Sequence, residues 1–276
     1  MKTSLFSQSL FALGLSDAIR ATAEIGFEAV ELACAPPHLD PQTAAARAEG
    51  VAREIRDAGL AVSALSLFNP DLATPERMEA DVAAASALIR LAPCFETRLV
   101  KLTPGRPGSA QATQTHWQCL GDALQRLIPV ARENGVRLAV ETHMRQLTDT
   151  LASSQHFLYR VADPAVGLTV DFLNLAFAGE NLPDVVRGLA PRMLHTHVKN
   201  GYRDEQGGWH FLALDRGMLD YAEILRLLRD VGYEGYLSVE CLGEAAETDP
   251  IGTARYDYQV LCRLLHSERP TSNIER

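Results

Sequence analysis

The sequence predicts an α/β protein that folds as a single (β/α)8 barrel, or TIM barrel, and three observations predict it. The chain has 276 residues, close to the roughly 250 residues typical of this fold. An amphipathic helix, a glycine and a short run rich in Val and Leu follow one another repeatedly. Eight alternations of strand and helix in the chain average about 34 residues each, which is enough for a strand, a helix and two short loops.

Glycine marks the change from helix to strand at four places, Gly26, Gly59, Gly135 and Gly232. A glycine just after a helix supplies the left-handed conformation of a C-cap. The apolar run after each glycine is typical of a strand buried on both faces, as in a parallel sheet.

Helix starts are marked as well. Asp40-Pro41 and Thr74-Pro75-Glu76 offer an N-cap residue followed by proline in the first turn. Asp220 and Glu223 have the spacing of a capping box, and Trp117 is expected to pack in the core. The predicted strands begin near Thr3, Ala29, Ala61, Arg98, Val136, Val166, Met193 and Tyr236. The predicted helices cover residues 16–25, 43–58, 75–91, 113–134, 150–162, 182–190, 218–231 and 253–266.

One domain is predicted over residues 1–276, because no change in composition marks a second one. An open doubly wound sheet also alternates strands and helices, but the first strand-to-helix turn lacks Gly-x-Gly-x-x-Gly. The longest polar insertion, residues 200–217, contains Gly207-Gly208 and is predicted to form a hairpin or flap over the barrel mouth.

Composition and charge narrow the class of protein. The net charge of -9 would repel a nucleic-acid backbone, and no run of Lys and Arg offsets it. No apolar stretch reaches the roughly 18 to 20 residues of a membrane span. Ser and Gln interrupt the apolar run at the N-terminus, which favours a first strand over a signal peptide. Five scattered cysteines argue against a disulfide framework, so we expect a cytoplasmic protein. From the net charge and the short apolar stretches, we expect that it binds neither nucleic acid nor membrane.

Acidic and imidazole side chains stand at the ends of four consecutive predicted strands: Glu141, Asp171, His197 and Glu240. Active sites of such barrels lie where the strands end. Three buried carboxylates at one mouth would each cost several kcal/mol to desolvate and would repel one another. A divalent cation resolves both problems, and three oxygens with one imidazole suit manganese, cobalt, magnesium or zinc. One such Glu alone is more often a cap or a surface ion pair; four on successive strands favour a metal site.

Strand alternation adds further candidates, because residues two apart share a face. His143 lies beyond the fifth strand on the mouth side and is expected to contact substrate. Lys199 would neutralise a substrate oxyanion or reach solvent, and His195 would fill the barrel interior. Glu31 is predicted to end the second strand, where it would bind a substrate hydroxyl or pair with Lys101 on the fourth strand.

The sequence resembles the xylose-isomerase-like barrels, often called sugar phosphate isomerase/epimerase, which include endonuclease-IV-like enzymes. No single motif carries the resemblance, which lies in order and spacing over nearly the whole chain. The segments that carry it are Gly26 to Leu32, Leu138 to His143, Val166 to Asp171, His195 to Asn200 and Gly232 to Glu240. In this family, the positions of Glu141, Asp171, His197 and Glu240 bind the catalytic metal. The resemblance thus implies the same ligand set, with Glu141 and Glu240 moving protons. We expect one divalent ion, manganese first, with cobalt, magnesium and zinc as alternatives.

The resemblance also points to two substrate contacts. Ketose epimerases of the family carry an Arg six residues beyond the metal-binding His, and Arg203 has that spacing, so it is expected to grip substrate oxygens. Where the family often has Asp-x-x-His, this chain reads Asp171-Phe172-Leu173-Asn174, so an amide replaces a substrate-contacting His.

These residues predict proton transfer next to a carbonyl on a small polyhydroxy substrate. The leading hypothesis is a sugar isomerase or epimerase in which the two glutamates work through an enediolate that the metal stabilises. A metal-dependent lyase, either a dehydratase or a decarboxylase, is the closest alternative. A non-catalytic sugar-binding protein and an abasic-site endonuclease are weaker ones, the latter because a trinuclear zinc cluster would need additional ligands. By analogy with other barrels, the chain is also expected to form a homo-oligomer.

Overall fold

A computed structural model describes residues 1–267 and confirms the single (β/α)8 barrel. Eight parallel strands close in the order β1-β10-β7-β6-β5-β4-β3-β2, and β8 and β9 form a separate antiparallel hairpin. The strands are β1 Lys2–Phe6, β2 Ala29–Cys34, β3 Ala61–Leu67, β4 Leu99–Leu102, β5 Arg137–Glu141, β6 Val166–Asp171, β7 Met193–Val198, β8 Asn200–Arg203, β9 Trp209–Leu212 and β10 Tyr236–Val239.

The helices pack around the barrel as expected. Gly26 ends the first of them with φ of 110°, the left-handed C-cap that the sequence predicted. The phenol oxygen of Tyr258 would lie 2.9 Å from a Cβ at this position, so a side chain there would have to displace Tyr258. The helices are α1 Leu15–Ile25, α2 Ala44–Asp57, α3 Pro75–Leu91, α4 Gln114–Glu133, α5 Leu151–Val161, α6 Phe172–Phe177, α7 Leu182–Leu189, α8 Tyr221–Asp230, α9 Glu244–Thr248 and α10 Pro250–Ser267.

Predicted and observed helix ends differ by at most three residues, and two short helices, α6 and α9, were not predicted. The short helix α6 was not predicted; it begins directly after β6, because the Asp171 side chain accepts the backbone N–H of Asn174 and caps it. The last helix, α10, starts at Pro250 instead of residue 253. Asp220 caps α8 as expected, accepting from the backbone of Ala222 and Glu223.

The register between parallel strands places polar residues at one level of the barrel. Asp171 on β6 pairs with His197 on β7, and His197 pairs with Ser238 on β10. The C-terminal ends of β5, β6, β7 and β10 therefore meet at the same rim, as the fold requires of an active site.

The segment predicted as a flap contains the β8–β9 hairpin at this rim. Trp209 of β9 stacks on Phe177 of α6, with ring centroids 6.2 Å apart. The guanidinium of Arg145, in the loop after β5, lies 4.2 Å from the centre of the Trp209 ring. The hairpin is thus held to the barrel by aromatic and cation–π contacts. Within residues 1–267, no helix combines the length and the apolar character needed to cross a bilayer.

A buried aspartic acid links the segment that follows the β8–β9 hairpin to the outer layer of helices. Asp257 of α10 is only 3% exposed, and its Oδ1 accepts the backbone N–H of Leu214 at 3.0 Å. The Cys241 thiol donates to Oδ2 at 3.6 Å. Burial raises the pKa of Asp257 to about 6.

We expect Asp257→Asn to flatten the pH dependence of stability at mildly acidic pH. The raised pKa means that the folded chain holds a proton which the unfolded chain has lost, so the free energy of unfolding falls as pH rises from about 4 to about 6. The effect is limited to about 3 kcal/mol. Urea titrations across this range measure it, with the exposed acid variant Glu247→Gln as control. An unchanged slope in Asp257→Asn would contradict the assignment.

Candidate metal centre

Four side chains converge at the rim: Glu141, Asp171, His197 and Glu240. One potential ligand atom from each lies within 4.8 Å of all the others. Each residue is at most 7% exposed. The four strands that the sequence singled out therefore do bring their acidic and imidazole groups to one point.

The imidazole of His197 faces the three carboxylates. Its Nδ1 lies 3.3 Å from Glu141 Oε1, 3.5 Å from Glu240 Oε2 and 3.9 Å from Asp171 Oδ2. Among the described residues this buried nitrogen has no hydrogen-bond partner. A nitrogen that is unpartnered in the midst of three carboxylate oxygens fits a cation bound between them.

Two buried lysines hold the same carboxylates. Lys199 Nζ lies 2.8 Å from Asp171 Oδ2 and 2.6 Å from Glu240 Oε2. Lys101 Nζ lies 2.6 Å from Glu141 Oε2. Both lysines are at most 5% exposed. Two ammonium groups of the chain itself therefore lie against these carboxylates, as expected for a cluster that attracts cations.

The pKa values of the four clustered residues reflect these neighbouring charges. Burial alone would raise the pKa of Glu141, but Lys101 and then His197 hold it well below its ordinary value. Burial likewise opposes ionisation of Glu240, yet Lys199 and His197 lower its pKa to about 2. For Asp171, burial together with Glu240 and Glu141 outweighs Lys199, so its pKa is raised. Burial would lower the pKa of His197, and Glu31 and Glu141 instead raise it well above its ordinary value.

Charge balance favours a divalent ion over a monovalent one. A histidine that binds a metal must be neutral, so in the metal-bound form, with every carboxylate ionised, the buried groups would carry two net negative charges, which one divalent cation would cancel. The groups counted are the carboxylates of Glu31, Glu141, Asp171 and Glu240 and the ammonium groups of Lys101 and Lys199.

Glu31 lies deeper than expected. Strand β2 continues to Cys34, so Glu31 stands inside the strand and not at its end. Its carboxylate is fully buried and accepts from His197 Nε2 at 3.0 Å. The expectation that Glu31 binds a substrate hydroxyl is not supported by this placement, and Lys101, its other expected partner, forms its ion pair with Glu141. His195 fills the barrel interior, as predicted, and contacts Glu31.

The other residues expected to contact substrate do not all line the cavity at the mouth. His143 lines the cavity at the mouth. Asn174 is fully buried, and its Nδ2 donates to the carbonyl of Thr142 at 3.1 Å, because α6 turns it under the loop. Arg203 is exposed on the hairpin and donates to the carbonyl of Gly207 at 3.3 Å. Neither Asn174 nor Arg203 lines this cavity.

The cavity above the four potential ligands has a volume of about 280 Å³. Charged and polar side chains line it together with apolar side chains from the hairpin and loops. The lining residues are Gln8, Phe68, Asn69, Lys101, Thr103, Glu141, His143, Met144, Lys199, Trp209, Phe211, Glu240 and Leu242. The sequence did not single out Trp209 or Phe211; their signal was two apolar aromatics at alternating positions within a polar insertion.

Comparison with known proteins agrees with the barrel fold. Residues 19–264 match the family model of the xylose isomerase-like TIM barrel. The chain belongs to this family. It is similar to the 3-dehydroshikimate dehydratase of Bacillus anthracis, with 25% identity over 253 residues, covering 85% of this chain and 88% of that enzyme. It is also similar to an inosose dehydratase of Clostridium perfringens, with 26% identity over 181 residues, covering 60% of this chain and 59% of that enzyme.

Similarity in fold extends to a family member solved with a metal. A xylose isomerase-like TIM barrel protein from Mycobacterium smegmatis, in complex with magnesium, superimposes with a TM-score of 0.78. The sequences are 21% identical, and the match covers 96% of this chain and 97% of that one. The buried cluster in this chain likewise suits a divalent metal.

Proposed function

We propose that this chain is a divalent-metal-dependent dehydratase that removes water from a polyhydroxy ketone or a keto acid. The observation that carries the proposal is that three proton-transfer groups, Glu141, Glu240 and His143, line one cavity. The sequence favoured a sugar isomerase or epimerase over a lyase. Dehydratases among the relatives favour the lyase.

The four-residue cluster would hold the ion. A divalent ion there would supply Lewis acidity to the carbonyl and hydroxyl oxygens of the substrate. Glu141 is placed to accept the proton from the carbon next to the carbonyl, since it lies at the cavity floor with Lys101 fixing its Oε2 at 2.6 Å. Lys199 fixes Glu240 in the same way at 2.6 Å.

His143 provides the acid that a dehydration needs. Its Nδ1 lies 2.9 Å from the carbonyl of Met144. A carbonyl only accepts, so Nδ1 carries a hydrogen and Nε2 is the nitrogen available to the substrate. As Glu141 takes the carbon-bound proton, the carbon–oxygen bond breaks, and the cationic form of His143, protonated on both nitrogens, gives its Nε2 proton to the departing hydroxyl, which leaves as water.

An epimerase or isomerase is the second candidate, and a specific observation favours it. Glu141 and Glu240 both line the cavity, and each is held by its own lysine. One glutamate can remove a proton and the other return it to the opposite face or to the neighbouring carbon. His143 has no necessary role in that reaction, which is why the dehydratase ranks first.

Incubating the manganese-loaded protein in deuterated water separates the two functions. The substrates would be 3-dehydroshikimate, an inosose and a panel of ketoses, analysed by mass spectrometry and NMR. The dehydratase predicts a product lighter by one water molecule. An intact sugar with solvent deuterium at an inverted or isomerised carbon would instead establish the epimerase or isomerase. No turnover on the whole panel would count against both.

A further inference from the structure

Glu31 is a buried carboxylate that the proposed reaction does not use. It is fully buried and lies on β2, across the barrel from the strand β7 that carries His197. A charge in such a place is costly unless hydrogen bonds or opposite charges offset it. The contacts of this carboxylate therefore indicate what it does.

Four donors from three strands hold the Glu31 carboxylate. Ser66 Oγ of β3 donates to Oε1 at 2.5 Å, and Ser238 Oγ of β10 donates to Oε2 at 2.6 Å. Two imidazoles of β7 complete the set. His195 Nε2 lies 2.8 Å from Oε2, and His197 Nε2 lies 3.0 Å and 3.1 Å from the two oxygens.

These contacts fix the tautomer of His197. An ionised carboxylate has no hydrogen to donate, so Nε2 of His197 must carry one. In the neutral ring, Nδ1 then has a free lone pair, and Nδ1 is the atom that faces the three carboxylates of the cluster. The imidazole therefore presents its basic nitrogen at the position where a metal ligand is needed.

We propose that Glu31 is a positioning residue for the metal, which orients His197 and sets its tautomer through the Nε2 hydrogen bond. Carboxylate–histidine–metal arrangements of this kind raise the basicity of the ligand and fix the ring plane. Ser66, Ser238 and His195 keep the carboxylate in place, so the orientation does not depend on the substrate. The inference rests on the metal centre of the proposed function.

The test is the metal affinity of Glu31→Gln, measured by calorimetry with manganese. An amide has no negative charge and accepts only on its oxygen, so one of the two acceptor atoms beside His197 Nε2 becomes an NH2 donor, and the hold on the His197 ring and its tautomer is weakened. We expect affinity 10- to 100-fold below that of the unmodified chain. The visible absorption spectrum of the cobalt-loaded variant should also change, since that spectrum reports ligand geometry and not turnover.

Ser63→Ala is the matched control. Ser63 is a buried interior residue that hydrogen-bonds Ser4 Oγ at 2.8 Å, so its loss perturbs the barrel interior but leaves Glu31 and His197 untouched. We expect its metal affinity and cobalt spectrum to match the unmodified chain. Equal affinity and an equal spectrum in Glu31→Gln would overturn the inference while leaving the metal centre intact. No binding by the unmodified chain would instead refute the metal centre itself.

Two further results keep the inference testable should Glu31→Gln fail to fold. Long-range proton–nitrogen NMR of the unmodified chain should show His197 protonated at Nε2, with a cadmium substitute coupled to Nδ1. Coupling through Nε2 would overturn the inference. So would a stoichiometry of two ions per chain, because Glu31, His195 and His197 would then be ligands of a second site.

Discussion

Replacing Glu141 by Gln is expected to lower kcat by about 10³-fold or more, the largest effect of any single substitution in the chain. The change removes the group that accepts the proton, a contribution of about 10² to 10⁴ by itself, and it weakens one of the four potential metal ligands. The ion pair with Lys101 Nζ at 2.6 Å is lost as well. Steady-state rates at saturating manganese measure the effect on the reaction with the least influence from metal loss.

Glu133→Gln is the control for that experiment. Glu133 is an exposed residue near the end of α4 and lies on the helical layer outside the barrel. Its substitution should leave kcat and KM unchanged. Activity of Glu141→Gln within tenfold of the unmodified enzyme at saturating metal would contradict the role of Glu141 as the proton acceptor.

Removal of the metal with a chelator is expected to abolish turnover completely. The buried carboxylates would then have only Lys101, Lys199 and a proton on His197 to offset their charge. Returning manganese should restore activity and stabilise the fold, by about 2.7 kcal/mol at a free concentration one hundred times Kd. Thermal unfolding with and without the ion measures the second effect, and calcium at equal concentration tests selectivity. Full turnover in the chelated protein would exclude the metal from the reaction.

Much of the barrel was predictable from local signals. Gly26 and its counterparts end helices in a conformation that few other residues adopt, and apolar runs after them are buried on both faces in a parallel barrel. These signals depend only on residues that are close together in the sequence, and the structure contains the elements that they predict. Sequence patterns do not predict helix α6, because it is only six residues long and its cap, Asp171, also has the position of a metal ligand at a strand end.

The four potential ligands were predictable for the same reason, since they stand where strands end. The role of Glu31 was not. Its strand runs three residues further, to Cys34, and the pairing of β2 with β3 shifts register between Val30 and Glu31. Sequence patterns predict strand ends only to within a few residues. Here a difference of three residues places the Glu31 carboxylate in the barrel interior instead of in the cavity.

Arg203 shows the limit of spacing as a guide. Counting six residues from His197 gives the correct position along the chain but not its direction in space. The β8–β9 hairpin pairs Arg203 directly with Trp209, so both residues lie on one face of the hairpin. Trp209 packs against Phe177 and Arg145 and lines the cavity, whereas Arg203 is exposed and its guanidinium turns back to the carbonyl of Gly207. Tertiary packing therefore decides which of the two side chains reaches the site.

Anomalous diffraction from a manganese-loaded crystal tests the ligand cluster most directly. A single strong peak is expected within coordination distance of Glu141, Asp171, His197 Nδ1 and Glu240. A manganese-replete crystal with no peak there, and with Lys199 still ion-paired to Asp171 and Glu240, would contradict the metal centre and the chemistry proposed for it.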